Sequence, residues 1–413
     1  MFDLLVRNVC LQHQQMSVDV AVMNGLIVKM ESNITGVAKQ EIDGQGDLIL
    51  PPFVETHTHL DTSLTAGDPE WNVSGTLHEG IRIWQRRKQM LTKEDVIHRA
   101  KQVLQQYVSH GVLYVRTHVD ISDPALTALR ALIELREQVA SDVTLQVIAF
   151  PQDGVWNCPD NRERLKEAMH LGADGIGAIP HQENSREEGI ASLEYIFDLA
   201  LRHKRMVHVL CDEADSADSR YLEVMAQLAE QTGLRSRVTA SHVIATSYYS
   251  DDYFAHVANV VQRSGMNIVV CPLVNSFMQG RLDPYPKGRG IARVKELSQF
   301  GINVAIAHDD IASPFYPLGS ANMLQAAFMG IHLAHLTSME EMEDALKTVT
   351  VCGAKVLQLE QNYGVGVGHP AHFVLFPFHQ VTDLLRYQPK PTYVVSHGRV
   401  IAETNRPYTK IYI

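Results

Sequence analysis

Apolar and polar positions follow two different periods along this chain. After residue 90 one unit recurs: a stretch of helical period ends in glycine, and a short apolar run follows within a few residues. The junctions are His110-Gly111, Leu171-Gly172, Thr232-Gly233, Ser264-Gly265 and Phe300-Gly301. Glycine is favoured just past a helix because that residue commonly turns left-handed. Helix starts are marked too. Thr92 with Asp95 resembles a capping box, and Asp123-Pro124 places a capping acid before a first-turn proline. The apolar runs predict strands near 112–119, 144–150, 174–179, 206–211, 237–242, 267–271 and 303–308, and 47–56 adds an eighth. Eight strands alternating with helices predict an α/β fold, a (β/α)8 TIM barrel. An open doubly wound sheet would want a glycine-rich phosphate loop after its first strand, and none occurs there.

At both ends the pattern changes to that of strands. Val18 to Met23, the turn Asn24-Gly25, and Leu26 to Met30 read as a hairpin with a primed turn. Thr392 to Ser396, His397-Gly398 and Arg399 to Ile401 read as another. The two ends are expected to pair into a small β-sandwich. The expected division is 1–50 for its N-terminal part, 51–358 for the barrel and 359–413 for its C-terminal part.

Composition narrows the class without naming a chemistry. The chain has 413 residues, 45% hydrophobic and 20% charged, as in an ordinary soluble globular protein. Its formal net charge of −11 comes without long acidic or basic runs. A nucleic-acid footprint would need clustered Lys and Arg, so no nucleic-acid partner is expected. The five cysteines are scattered and contain no Cys-x-x-Cys, which points to neither a disulfide framework nor a thiolate zinc site. No apolar run approaches the roughly 20 residues of a membrane span, and no leader is apparent. A cytoplasmic protein without a membrane partner is expected.

The candidate chemistry lies where barrel enzymes keep it, at the C-terminal ends of strands. His57 and His59 follow the first apolar run, two apart and therefore on one face of a strand. The later strand ends bring His118 and Asp120, then Gln152, His181 and Glu183, His208, Asp212 and Glu213, Ser241 and His242, Asn275, and finally His308, Asp309 and Asp310. So many imidazoles and carboxylates, with few lysines, fit metal-assisted hydrolysis, in which a bound cation activates water and a side chain moves protons. Other constellations are weaker. His181-Gln182-Glu183 has the His-x-Glu of nucleoside-type zinc deaminases, but the Pro-Cys-x-x-Cys they require is absent. No Gly-x-Ser-x-Gly elbow is present. Gly364 to Gly368 lacks the Lys-Ser/Thr of a phosphate loop and reads as a turn.

Longer segments carry a family resemblance. They include Pro51-Pro52-Phe53-Val54-Glu55 with His57-Thr58-His59-Leu60-Asp61, Val115 to Asp120, Ala149 to Gln152, Cys211-Asp212-Glu213, Val238 to His242, Pro272 to Asn275, and His308-Asp309-Asp310 before Tyr316 to Gly319. In these the chain resembles the bacterial cytosine deaminases of the amidohydrolase superfamily, from about residue 20 to 405. The resemblance implies a barrel with a terminal β-sandwich and one divalent ion, iron(II) or zinc. It implies His57, His59 and Asp309 as metal ligands. It implies Glu213 as the proton shuttle and His242 as the residue that orients or activates the attacking water, with Asp309 beside them. Gln152 would bind the pyrimidine edge, and Leu77, Asp310 and Phe315 would line the pocket. The implied reaction is hydrolysis of cytosine or a 5-substituted cytosine, such as 5-methylcytosine, to the uracil-type product and ammonia.

Two positions depart from the family pattern. Where the family carries its strand-five imidazole ligand, in a segment of the type Val-His-Cys-Asp-Glu, this chain has Leu210. His208 shares its parity but lies about 6–7 Å deeper along a strand, so its place among the ligands is open. Phe315 stands where the family has tryptophan, which leaves room beside the ring for a 5-substituent. Two alternatives stay open: action on another small N-heterocycle, such as an amino-triazine or a creatinine-like compound, and a binding homologue impaired by Leu210. Association into a homo-oligomer is also open.

Overall fold

The computed structural model describes residues 1–12, 17–406 and 409–412. Strands alternate with helices from residue 53 to 306, and eight of them form one parallel sheet. In order these are Phe53–Thr58, Val112–Asp120, Thr144–Phe150, Gly175–Ile176, Met206–Cys211, Val238–His242, Asn267–Val270 and Val304–Ile306. This is the expected barrel. Side chains join its first strand to the segment after its last. The Glu55 carboxylate accepts from the His57 N–H at 2.9 Å, the Tyr107 hydroxyl at 3.0 Å and the His308 N–H at 3.0 Å. The Thr58 hydroxyl donates to the Asp309 carbonyl at 2.8 Å.

The expected second β domain is built from both chain ends around one further eight-stranded sheet. Its order runs Arg399–Glu403, Tyr393–Ser396, Phe373–Phe376, Leu48–Leu50, Phe2–Cys10, Ser17–Met23 and Leu26–Glu31, with Ala38–Asp43 also paired to Phe2–Cys10. Both hairpin readings hold: Met23 faces Leu26 across Asn24-Gly25, and Ser396 faces Arg399 across His397-Gly398. All four turn residues have positive φ, as a primed turn requires.

The expected strand over 47–56 is two strands in two sheets. Leu48–Leu50 pairs antiparallel with Phe373–Phe376, whereas Phe53–Thr58 opens the barrel. Pro51 and Pro52 separate them, because proline offers no N–H to a ladder. The strands predicted over 174–179 and 303–308 are also shorter than their apolar runs. Thr92 caps the helix Lys93–Ser109 as expected. The helix after Asp123-Pro124 begins only at Thr127; Asp123 instead accepts from the N–H groups of Ala125 and Thr127.

Strand parity joins the two domains. Ile49, Phe373 and Leu375 face the core of the terminal sheet, and Leu48, Leu50, Val374 and Phe376 face the barrel. Phe376 packs against Phe53 of the first barrel strand, with ring centroids 5.8 Å apart and planes tilted by 45°. The metal-type residues of that strand therefore rest on a buried interdomain core. No helix among the described residues is long and apolar enough to cross a membrane.

Candidate active site

His57 sits inside the first barrel strand and His59 just past its end. Their Nε2 atoms are 3.2 Å apart, and each lies 3.8 Å from Asp309 Oδ1. Three donors on a tetrahedral ion with bonds of about 2.1 Å would stand roughly 3.4 Å from one another. The triangle fits that requirement. Asp309 Oδ1 is buried and has no hydrogen-bond partner, which is costly unless something of positive charge satisfies it. Burial holds both imidazoles neutral: His59 is pushed down to about 3, and His57 lies well below its ordinary value. Neutral imidazole is the ligating form. Burial drives the Asp309 carboxyl strongly upward, and the neighbouring Asp310 adds to this. A cation would reverse that shift.

Next to the triangle lie Glu213 and His242. Burial pushes the Glu213 carboxyl up to about 8, although Asn275 Nδ2 donates to its Oε1 at 3.1 Å. Glu213 is thus a carboxylic acid that keeps its proton near neutrality. Burial lowers His242 to about 4, so its ring is neutral. His242 Nδ1 lies 3.3 Å from Asn275 Oδ1 and 3.6 Å from Glu213 Oε1, and its Nε2 is buried without a partner. An acid and a base of similar burial, set apart in protonation and joined by one amide, can exchange protons with a ligand between them. His242 and Asp309 both adopt left-handed backbone, with φ of 71° and 72°. Non-glycine residues rarely adopt it, and such strain concentrates at functional sites.

These groups line one pocket. Its wall includes His59, Glu213, His242, Asp309 and Asp310 on the polar side, with Gln152, Leu77, Ile81, Ile179, Leu210, Val274, Met278 and Phe315 around them. Burial raises the Asp310 carboxyl to about 7. Leu77 begins the helix Leu77–Arg87, capped by the Thr76 side chain. That helix is tied down by Asp120, which accepts from Trp84 Nε1 at 2.9 Å and from Lys88 at 3.3 Å. The same carboxylate accepts from the Gln152 N–H at 3.1 Å, so one buried acid positions both Leu77 and Gln152. Gly80 permits the close approach of this helix to Phe315: a Cβ there would lie 2.6 Å from the phenyl ring.

The fold thus brings Glu213, His242, Asp309, Gln152, Leu77, Asp310, Phe315 and His59 to one cavity, with His57 immediately behind. His208 is not part of that wall. It joins His57 and His118 in a separate, fully buried group, with its ring 4.3 Å from that of His118. Leu210 occupies the pocket-facing position of the strand and packs with Phe150 and Ile179. The offset of two residues inferred from parity is therefore present. Asn275 and Glu55 had no role assigned from sequence. Asn275 was visible only as a polar strand-end residue, and Glu55 only as part of a motif; their partners come from strands far away in the chain. His181, with both nitrogens buried and unpartnered, also lines the pocket.

A profile described as amidohydrolase family matches residues 40–141 and 131–402. The chain belongs to the amidohydrolase family, whose members are metal-dependent hydrolases. Among solved structures it resembles the 5-methylcytosine deaminase from Klebsiella pneumoniae liganded with 5-fluorocytosine, at 39% identity and a TM-score of 0.95, over 98% of this chain and 99% of that one. The same deaminase liganded with phosphonocytosine gives 40% identity and a TM-score of 0.95, over 98% and 100%. Among characterised sequences, the N-isopropylammelide isopropyl amidohydrolase of Pseudomonas sp. (strain ADP) is 28% identical over 97% of this chain and 98% of its own length.

Proposed function

We propose that the protein catalyses the hydrolytic deamination of cytosine or a 5-substituted cytosine, with 5-methylcytosine as a substrate, to the uracil-type product and ammonia. The carrying observation is the 39% identity over 98% of the chain with a 5-methylcytosine deaminase seen with a cytosine analogue. The pocket supports it. In this reading His57, His59 and Asp309 hold one divalent ion, iron(II) or zinc. When bound, such an ion supplies Lewis acidity and makes water available as a nucleophile near neutral pH. His208 falls outside the ligand set, since its two nitrogens face Arg116 and Ser241.

The remaining roles belong to the chain. The amide of Gln152 offers a donor and an acceptor to the ring carbonyl and its neighbouring nitrogen. His242 Nδ1 faces both Oδ1 and Nδ2 of Asn275, at 3.3 and 3.2 Å; in the tautomer that donates Nδ1–H to Oδ1, its unpartnered Nε2 can take a proton from the attacking water. Glu213, protonated near neutrality, can protonate the ring nitrogen beside the attacked carbon. As a carboxylate it can then take the remaining proton of the added hydroxyl and pass it to the amino group, which leaves as ammonia, and the proton held by His242 restores Glu213. Phe315 and Leu210 give the pocket an apolar side suited to a ring substituent. We place the protein in the cytoplasm, which suits its five unpaired cysteines. We take the chain to divide at 50/51 and 358/359.

Ammonia release from cytosine, 5-methylcytosine and 5-fluorocytosine, measured on protein of known metal content, tests the reading. Turnover of 5-methylcytosine at least as efficient as that of cytosine is expected. The Pseudomonas relative favours a second reading, an amino-triazine substrate; turnover of N-isopropylammelide with none of the pyrimidines would establish it. Protein that acquires no metal would favour a binding homologue, and Leu210 would be the reason.

A further inference from the structure

Beneath the pocket, Arg116 is fully buried, and its hydrogen bonds go to neutral groups. Its Nε and Nη2 donate to Gln146 Oε1 at 2.9 and 2.8 Å, and Nη2 also donates to the Val356 carbonyl at 2.8 Å. Its Nη1 lies 3.2 Å from His208 Nδ1. His208 Nε2 in turn meets Ser241 Oγ, and Ser241 Oγ lies 2.8 Å from His57 Nδ1. The four side chains form one buried line.

The direction of that line follows from which groups can donate. A guanidinium has five donors and no acceptor. His208 Nδ1 therefore accepts, and its ring proton sits on Nε2. That N–H donates to Ser241 Oγ. The serine hydroxyl proton then has one acceptor left among the contacts of Oγ, which is His57 Nδ1. His57 must carry its own proton on Nε2, the atom that faces His59 and Asp309.

We propose that Arg116, His208 and Ser241 form a one-way hydrogen-bond relay that holds metal-free His57 in the Nε2–H tautomer, and so lowers the affinity of the His57–His59–Asp309 site for a cation. To bind through Nε2, His57 must move its proton to Nδ1 and the Ser241 hydroxyl must turn away. His208 is a positioning residue here: it acts on the cation only through Ser241 and His57. The inference rests on the metal reading above for its consequence, but its core, the tautomer of His57, concerns the metal-free protein alone.

The test compares two substitutions. In His208→Asn the amide oxygen accepts from Arg116 and the amide nitrogen donates to Ser241, so the direction is kept. In His208→Asp both oxygens accept, so the serine proton turns to the carboxylate and Oγ must accept from His57 Nδ1–H. Zinc alone is titrated against a chelator in wild type and both variants. We expect His208→Asp to bind zinc more tightly by about 10–100-fold, the range over which groups behind a ligand tune a metal site, and His208→Asn to match wild type. Equal zinc binding by the two variants would overturn the relay. Nitrogen-15 NMR of histidine-labelled, metal-free wild type reads the tautomer with no variant at all: a proton on His57 Nε2 is expected, and one on Nδ1 refutes the proposal. Neither readout uses a substrate, so failure of the deamination assay would leave this inference standing, and the reverse.

Discussion

Two histidine groups share His57 and differ in everything around them. The upper one, His57 with His59 and Asp309, borders a pocket and contains a carboxylate oxygen with no partner. The lower one, His57 with His118 and His208, is equally buried but lies beside the Arg116 cation and away from the pocket wall. In both, burial lowers the imidazole pKa values. Burial and residue type therefore do not tell the two groups apart. Neighbouring charge and access to ligand do: a carboxylate attracts a cation, whereas a guanidinium repels it.

The sharpest way to break this comparison is to disable each group in turn. Asp309→Ala should abolish metal binding and turnover, as read by metal content and ammonia release. His118→Leu should leave metal content unchanged; a cation held by the lower group would be lost instead. Beside the upper group, Glu213→Gln should lower kcat by about 10²–10⁴-fold with metal retained, the usual worth of one proton-transferring residue. A smaller effect separates the apolar wall from the polar one. Phe315→Trp should shift the ratio of kcat/KM for 5-methylcytosine over cytosine toward cytosine by about 1–3 kcal/mol, the value of one methyl group in a fitted pocket. The pH profile follows from the sign of the Glu213 shift. Its carboxyl is raised to about 8, so the protonated form persists through neutrality and is lost above that value. The rate should fall about tenfold per pH unit on the alkaline side, and Glu213→Gln should remove that limb. The last effect, on stability rather than turnover, belongs to the lower group: both His118 nitrogens are buried without partners, so His118→Leu should raise stability by up to about 1–3 kcal/mol, the cost of an unsatisfied buried polar group, as read by denaturant melts.

Much of this arrangement was legible in the residues themselves. Strand parity put His57 and His59 on one face, and His208 on the same face as Leu210 but deeper, because a pleated strand alternates its side chains whatever surrounds it; that Leu210 stands where an imidazole was expected came from the family resemblance. The recurring helix, glycine and apolar run defined the barrel, since each unit must bury its apolar face against the next. Strand ends were less legible. The run over 47–56 has a strand's composition throughout, yet Pro51-Pro52 hands it from one sheet to another.

What the amino-acid sequence determined by itself was local: period, facing, caps, turns and the inventory of metal-type residues. What only the tertiary structure decided was partnership. His208 was readable as a deeper residue of the right parity, but its commitment to Arg116 and Ser241 depends on how three strands are staggered around the barrel. The same holds for Asn275 between Glu213 and His242, and for Glu55, which meets His308 across 253 residues of chain. Short-range periodicity sets the direction in which a side chain points. Which group it meets there is set by the closure of the barrel, and that depends on packing over the whole molecule.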